Sequence, residues 1–267
     1  MINRALWLVA MAETGEILRV EGLVKTFGGI RALNDVTLSI REGEMVGLIG
    51  PNGSGKTTLF NVISGVYKPD RGRVFFRGED ITGLPPYELY KRGLVRSFQI
   101  PRLWSKMVVA ENTASAHRER PGSDPLSSIV KRKNWILWEK DSLVRSVSNV
   151  LSRLSLGHVA LNWASEISGG QMKLTDISRA MMGRAKLLLL DEPTAGVAPK
   201  LSREIFETLR ALNKEGLTIF VIEHRLEILF EYVERVIVMH EGRVLVEGAP
   251  DDVARDPRVL NAYLGSA

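Results

Sequence analysis

The chain is 267 residues long, 45% apolar and 25% charged, an ordinary globular balance with enough apolar material for a substantial core. It contains no cysteine, which excludes disulfides and thiolate metal sites, and its four histidines (His117, His158, His224 and His240) are too scattered to suggest a zinc cluster. The net charge of +5 comes from acidic and basic residues that alternate along most of the sequence, which fits solubility better than a nucleic-acid surface.

In chain order, Ala5 to Met11 is apolar but far short of the roughly 20 residues that cross a membrane, and no other stretch reaches that length without charges. Residues 1–16 are expected to form a flexible extension, with Met11 as a candidate natural start. Ile17 to Val20 and Val36 to Ile40, with a turn at Phe27-Gly28-Gly29 between them, predict short strands of an antiparallel sheet. Met45 to Ile49 predicts a buried strand, followed by Gly50-Pro-Asn-Gly-Ser-Gly-Lys-Thr57 and a helix from Lys56 that closes near Gly65. Arg73 to Arg77, flanked by Gly72 and Gly78, predicts another hairpin piece.

From about residue 100 to 170 the sequence turns to helix formers, with Pro121-Gly122 and Asp124-Pro125 as breakers, and an inserted helical subdomain is expected. Within it, Lys131-Arg132-Lys133 precedes Trp135 and Trp138, a pattern that fits a small core stripe with a solvated basic edge better than a lipid contact. An α/β alternation then resumes, with a helix from about Gln171 to Met182, a strand at Leu187 to Leu190, a helix at Leu201 to Asn213 and a strand at Thr218 to Ile222. Leu201, Ile205, Leu209 and Leu212 give the second helix one apolar face. Val236 to Met239 and Arg243 to Val246 flank Glu241-Gly242 as a hairpin. No internal repeat or low-complexity segment is present.

The string at 50–57 fits GxxxxGK[ST] and lies between a strand and a helix, the context in which that pattern binds phosphate. A nucleoside triphosphate brings several negative charges that backbone N–H groups solvate without rearrangement. Gly50, Gly53 and Gly55 let the loop of Pro51, Asn52 and Ser54 wrap closely, the helix N-terminus adds a positive dipole, and the Lys56 ammonium reaches the β and γ oxygens. Thr57 offers a hydroxyl to Mg²⁺, and Thr58 follows it into the helix. The four leucines Leu187 to Leu190 predict a strand buried on both faces, whose carboxyl end puts Asp191 and Glu192 where open α/β sheets bind ligands. Asp191 is expected to hold Mg²⁺ and Glu192 to orient and deprotonate the attacking water.

Ser168-Gly-Gly-Gln171, together with the two motifs above, Gln99 and His224, resembles the pattern of ABC-type ATPases over nearly the whole chain from Ile17 to Gly265. The resemblance implies an α/β P-loop cassette over residues 17–267 with an antiparallel subdomain and the helical insertion at 100–170. It further implies that Phe27 stacks on adenine, that Gln99 contacts Mg²⁺ and the lytic water, and that His224 hydrogen-bonds the γ-phosphate. Ser168, Gly169, Gly170 and Gln171 would bind the nucleotide of a second ATP-binding subunit, identical or related. Two departures stand out: Ala198 where the family usually has an aspartate, and Ile167 in place of the commoner leucine.

Within the family, Lys25-Thr-Phe-Gly-Gly-Ile30, Arg96-Ser-Phe-Gln-Ile100 with Arg102-Leu-Trp104, the insertion after Glu111-Asn112 and the ending Ala262-Tyr-Leu-Gly265 resemble the ATP-binding subunits of branched-chain amino acid importers. Urea and other amide importers share such subunits, whereas soluble ABC ATPases acting on nucleic acid or ribosomes usually carry two nucleotide domains or extra modules. The resemblance implies ATP and Mg²⁺ as ligands, a place on the cytoplasmic face of the membrane, separate permease subunits as partners, and a solute-binding protein reached indirectly.

Overall fold

Two sheets of different construction share this chain, in a computed structural model that describes residues 15–97, 101–118 and 142–264. The first sheet is antiparallel, in the order β2-β1-β4-β5, built from β1 (Glu16–Phe27), β2 (Ile30–Arg41), β4 (Arg71–Phe76) and β5 (Glu79–Asp80). The second has the order β10-β9-β3-β8-β7-β6, from β3 (Met45–Ile49), β6 (Leu94–Arg96), β7 (Leu187–Asp191), β8 (Thr218–Ile222), β9 (Arg235–His240) and β10 (Arg243–Gly248). Its strands run parallel except for β10, which pairs antiparallel with β9 at one edge.

The first hairpin is much longer than the sequence predicts. β1 and β2 are each twelve residues, joined by Gly28 and Gly29 at φ 50° and 90°, a two-residue turn of the type that matches strand twist. The period-two signal is broken where the ladder shifts register between Val20 and Leu23, with Gly22 at φ 57° and Asp35, across from it, at φ 64°. A bulge turns one residue out of phase, so alternation read along the sequence ends before the strand does.

The central strands β3, β7 and β8 are buried at every residue. Alternation across them sorts the side chains into two cores. Val46, Leu48, Leu187, Leu189, Phe220 and Ile222 face the antiparallel sheet together with Leu59 and Phe60 of α1 (Lys56–Ile63). Met45, Ile49, Leu188, Leu190, Ile219 and Val221 face the opposite layer. There lie α4 (Val144–Arg153), α5 (Gly169–Met182), α6 (Pro199–Lys214) and α7 (Leu226–Tyr232). On α6, Ile205, Leu209 and Leu212 are buried and Leu201 half-buried, the face expected from spacing. Both α5 and α6 start two residues earlier than predicted: Ser168 caps α5, and Pro199 occupies the first position of α6 with Ala198 as its cap.

Of the segment from 101 to 168, the described parts carry α3 (Val109–Ser115), α4 and a 3₁₀ turn at Gly157–Val159, and both α3 and α4 pack on α5. Across the first core, α2 (Pro86–Arg92) leads into β6. The chain closes with α8 (Pro250–Arg255) and α9 (Pro257–Leu264) beside β9 and β10. Gln99, the Lys131–Lys133 cluster, Trp135, Trp138 and residues 1–14 lie outside the described residues. Among the described residues no helix is long and apolar enough to cross a membrane.

Candidate nucleotide site

The loop from Gly50 to Gly55 leaves the carboxyl end of β3 and enters α1 directly. Gly50 and Gly55 take φ 148° and 103°, and a Cβ built on them would lie 2.1 Å from the Met239 carbonyl oxygen and 2.5 Å from that of Ala32. Only glycine fits a backbone held that tightly between β9 and β2. Asn52 and Gly53 are exposed at the tip, Pro51 is half-buried, and Ser54 is buried.

Lys56 is buried and folds back over the loop, donating to the carbonyl oxygens of Gly50 at 2.7 Å and Pro51 at 2.9 Å, with Ser54 Oγ at 3.4 Å. Burial pushes its ammonium below the ordinary lysine value, against the opposing charges of Glu192 and Asp191. Thr57 is exposed beside it and Thr58 half-buried.

Asp191 ends β7 and is 6% exposed; Arg96 Nη2 donates to its Oδ2 at 2.9 Å. Glu192, the next residue, has φ 50°, a left-handed conformation uncommon outside glycine and asparagine. Its N–H bonds the Ile222 carbonyl of β8, and its Oε1 lies 3.0 Å from His224 Nε2. The structure therefore brings Lys56, Asp191, Glu192 and His224 together at the carboxyl ends of β3, β7 and β8, which are neighbours in the sheet.

Phe27, at the end of β1, is 41% exposed and meets the ring of Tyr67 edge-on at 5.2 Å. Asp70 fixes that strand end, accepting from Lys25 Nζ at 2.9 Å and the Thr26 N–H at 2.7 Å. The signature residues stand elsewhere, at the amino end of α5, which packs against α3, α4 and α6. There the Ser168 hydroxyl accepts from the Gln171 N–H at 3.3 Å while Gln171 Oε1 accepts from the Ser168 N–H at 2.8 Å, a reciprocal capping box. Ser168 and Gly169 are exposed, whereas a Cβ on Gly170 would lie 2.2 Å from Leu201 Cδ2 of α6.

Three residues to which sequence reasoning assigned no task at the site support this arrangement. Glu223, 3% exposed, accepts from the Thr194 N–H and hydroxyl and from the N–H groups of His224 and Arg225. It thereby ties the turn after Glu192 to the turn that carries His224. Lys173, buried on α5, lies 3.4 Å from the Glu192 carbonyl oxygen. Arg96 bonds Asp191 as described. Of the three, Arg96 alone lies in a string with a recognisable pattern.

Beside the site, a groove of about 910 Å³ opens between α2 and β6 on one side and α3 and α5 on the other. Tyr87 and Trp104 are exposed there, and Lys91, Arg102, Arg118 and Arg179 make its wall cationic, with the Arg179 guanidinium stacked on the Trp104 ring at 4.9 Å.

Comparison with known proteins gives a consistent picture. The family model described as "ABC transporter" matches residues 33–195, and the model described as "Branched-chain amino acid ATP-binding cassette transporter" matches residues 243–267. A probable branched-chain amino acid transport ATP-binding protein, LivG, of Methanocaldococcus jannaschii is 44% identical over 96% of this chain and 100% of its own length. The high-affinity branched-chain amino acid transport ATP-binding protein LivG of Escherichia coli (strain K12) is 36% identical over 94% of this chain and 98% of its own. The crystal structure of an ATP-binding cassette of an ABC transporter in its ADP conformation superimposes with a TM-score of 0.81 at 43% identity, covering 94% of this chain and 99% of that one.

Proposed function

The chain belongs to the ABC transporter ATP-binding family, and on that premise we propose that it is the ATP-hydrolysing subunit of an importer for branched-chain or other hydrophobic amino acids. The observation that carries the hydrolytic part is the convergence of Lys56, Asp191, Glu192 and His224 at the ends of adjacent parallel strands. The family relationship carries the solute class. In this reading residues 17–267 form the cassette, residues 100–170 its helical insertion and residues 1–16 an extension.

Each residue then has a task that its surroundings support. N–H groups of the loop and of the first turn of α1 are the donors for the triphosphate, and Lys56, already on the loop, donates to the β and γ oxygens. Phe27 stacks on adenine, its ring steadied by Tyr67. Glu192 takes the proton of the attacking water as the water oxygen bonds to the γ-phosphorus and the bond to the bridging oxygen breaks, giving ADP and phosphate. His224 Nε2 bonds Glu192 Oε1 and so orients that carboxylate, and with ATP bound the imidazole turns to donate to the γ-phosphate. The donor set suits a hard divalent ion with few protein ligands: the Thr57 hydroxyl, the Asp191 carboxylate and Gln99 would hold Mg²⁺, which when bound neutralises charge on the β and γ oxygens.

Ser168 and Gly169 lie exposed at the amino end of α5, with Gln171 half-buried and Gly170 buried behind them; in this reading the four serve the nucleotide of a second subunit, so the active unit is a dimer. With no spanning helix among its described residues, the chain works on the cytoplasmic face of a membrane through separate permease subunits, and a solute-binding protein delivers the cargo. The cationic, aromatic groove is the surface for a permease segment that carries carboxylates.

The test is to tag the chain, extract it from native membranes in mild detergent, identify what accompanies it, and measure ATPase activity with and without candidate amino acids and their binding protein. Recovery of two permeases, with ATPase activity stimulated by leucine, isoleucine or valine, is the expected result. A soluble preparation accompanied by ribosomal or DNA-repair proteins would refute the transport role; stimulation by urea alone would move the solute class.

A further inference from the structure

Arg96 is the last residue of β6, and its side chain does three things at once. Nη1 donates to Asn61 Oδ1 at 2.6 Å and Ser64 Oγ at 3.1 Å, both at the far end of α1 from the phosphate loop. Nη2 donates to Asp191 Oδ2 at 2.9 Å, with the side chains of both partners only 8% exposed. The guanidinium also lies 5.9 Å from the Phe60 ring centre. Arg96 and Ser64 both line the groove. The backbone adds a fourth link, because Arg96 pairs with Leu189 of β7 and the Ser97 N–H bonds the Leu189 carbonyl at 2.9 Å, just before the chain leaves the sheet toward Gln99.

A planar fork with donors on two sides can hold a carboxylate in one rotation while anchored elsewhere, which a lysine ammonium on a flexible stem does not reproduce. Arg96 engages one oxygen of Asp191, and a carboxylate has acceptor capacity on the other. The same side chain faces the cavity beside the sheet. We infer that Arg96 is a positioning residue that sets the rotation of the Asp191 carboxylate and makes it responsive to whatever fills the groove. This rests on the reading of Asp191 as a Mg²⁺ ligand given above.

Loss of a group that orients a metal ligand typically lowers metal affinity about 10-fold to 100-fold. The experiment uses the full chain carrying Glu192→Gln, with ATP present, and follows Mn²⁺ binding by electron paramagnetic resonance. Arg96→Met and Arg96→Lys are both expected to weaken Mn²⁺ binding about 10-fold, with ATP affinity in EDTA unchanged. Because the chain has no cysteine, Tyr87→Cys places a single thiol on the groove wall, and a pyrene maleimide there fills the groove. The label is expected to shift Mn²⁺ affinity at least about 3-fold with Arg96 present and not at all with Arg96→Met. Wild-type Mn²⁺ affinity in both Arg96 variants overturns the inference, and a label shift that persists in Arg96→Met overturns the link to the groove. Asp191→Asn is the control that separates the two levels: normal Mn²⁺ binding there overturns the metal assignment and the inference with it, whereas weakened binding there with normal binding in the Arg96 variants overturns the inference alone.

Discussion

Each end of the parallel strands carries a buried arginine–carboxylate pair, and the two are wired differently. At the amino ends, Glu44 just before β3 meets Arg235 at the start of β9: Arg235 Nε donates to Oε1 at 2.7 Å and Nη2 to Oε2 at 2.8 Å, while the Arg41 N–H adds a third bond at 3.0 Å. Both carboxylate oxygens are consumed, and Arg235 goes on to the Ser39 carbonyl and Glu247. At the carboxyl ends, Asp191 gives one oxygen to Arg96, and Glu192 beside it points at a histidine through a strained backbone. The first pair is a closed clasp joining the two sheets and the β9–β10 edge. The second holds two carboxylates in place at the candidate site. Loops at the carboxyl ends of parallel strands can be reshaped without touching the sheet, which is why ligand chemistry collects there and stability at the other end.

The comparison breaks if substitutions at the two ends act alike, and the largest expected contrast is in catalysis. Glu192→Gln is expected to slow ATP hydrolysis by about 10²- to 10⁴-fold, the usual worth of a general base, while urea unfolding stays within about 0.5 kcal/mol of the parent. Steady-state ATPase rates and denaturation curves on the same preparation decide it. Arg235→Met should do the reverse: it strands the buried Glu44 charge and lowers stability by about 3 kcal/mol, with the ATP dissociation constant unaltered.

Lys56→Ala sits between these, since Lys56 holds the loop and, in the proposed function, the nucleotide as well; ATP affinity is expected to fall about 30-fold or more, read by equilibrium dialysis, with a modest loss of stability as the Gly50 and Pro51 carbonyls lose their donor. Acid sharpens the contrast. Burial alone would raise the Glu44 carboxyl, but hydrogen bonds from Arg235 and the Arg41 N–H, with the two guanidinium charges, hold it below its ordinary value of 4.5. A depressed carboxyl stabilises the fold fully above that value and loses the contribution as pH falls through the lowered one. Unfolding midpoints of the parent and Arg235→Met should therefore stay apart from neutral pH to about 5 and converge below 4.5; parallel curves throughout would show that the clasp does not act through Glu44 ionisation. The smallest effect is expected at Ala198, which caps α6 without a side-chain bond: Ala198→Asp should add about 1 kcal/mol by supplying the missing acceptor, visible as a rise in thermal midpoint.

How much of this was legible beforehand depends on the distance along the chain over which each contact acts. The phosphate loop, the four leucines and the α6 stripe are local patterns, and the structure reproduces them to within two residues. The hairpin of β1 and β2 was half-read, because bulges near Gly22 and Asp35 interrupt the alternation on which strand recognition depends. The Asp191–Arg96 pair joins residues 95 apart and the Glu44–Arg235 pair residues 191 apart. Neither leaves a trace in periodicity: Arg235 reads in line as ordinary surface charge, and the recognisable string that holds Arg96 does not name its partner.

What the sequence by itself determined is the phosphate-loop pattern, the candidate hydrolytic groups near it and the class of fold that holds them, since glycine φ demands, strand burial and helix starts are short-range consequences of residue type. What only the tertiary structure decided is which charges answer one another: that Glu223 clamps Thr194 to the histidine turn, that Lys173 reaches Glu192, and that Arg96 joins α1 and the groove to Asp191. Those pairings follow from strand order in a sheet where β3 lies between β8 and β9, and strand order is fixed by how two cores are buried at once rather than by any residue's own preference.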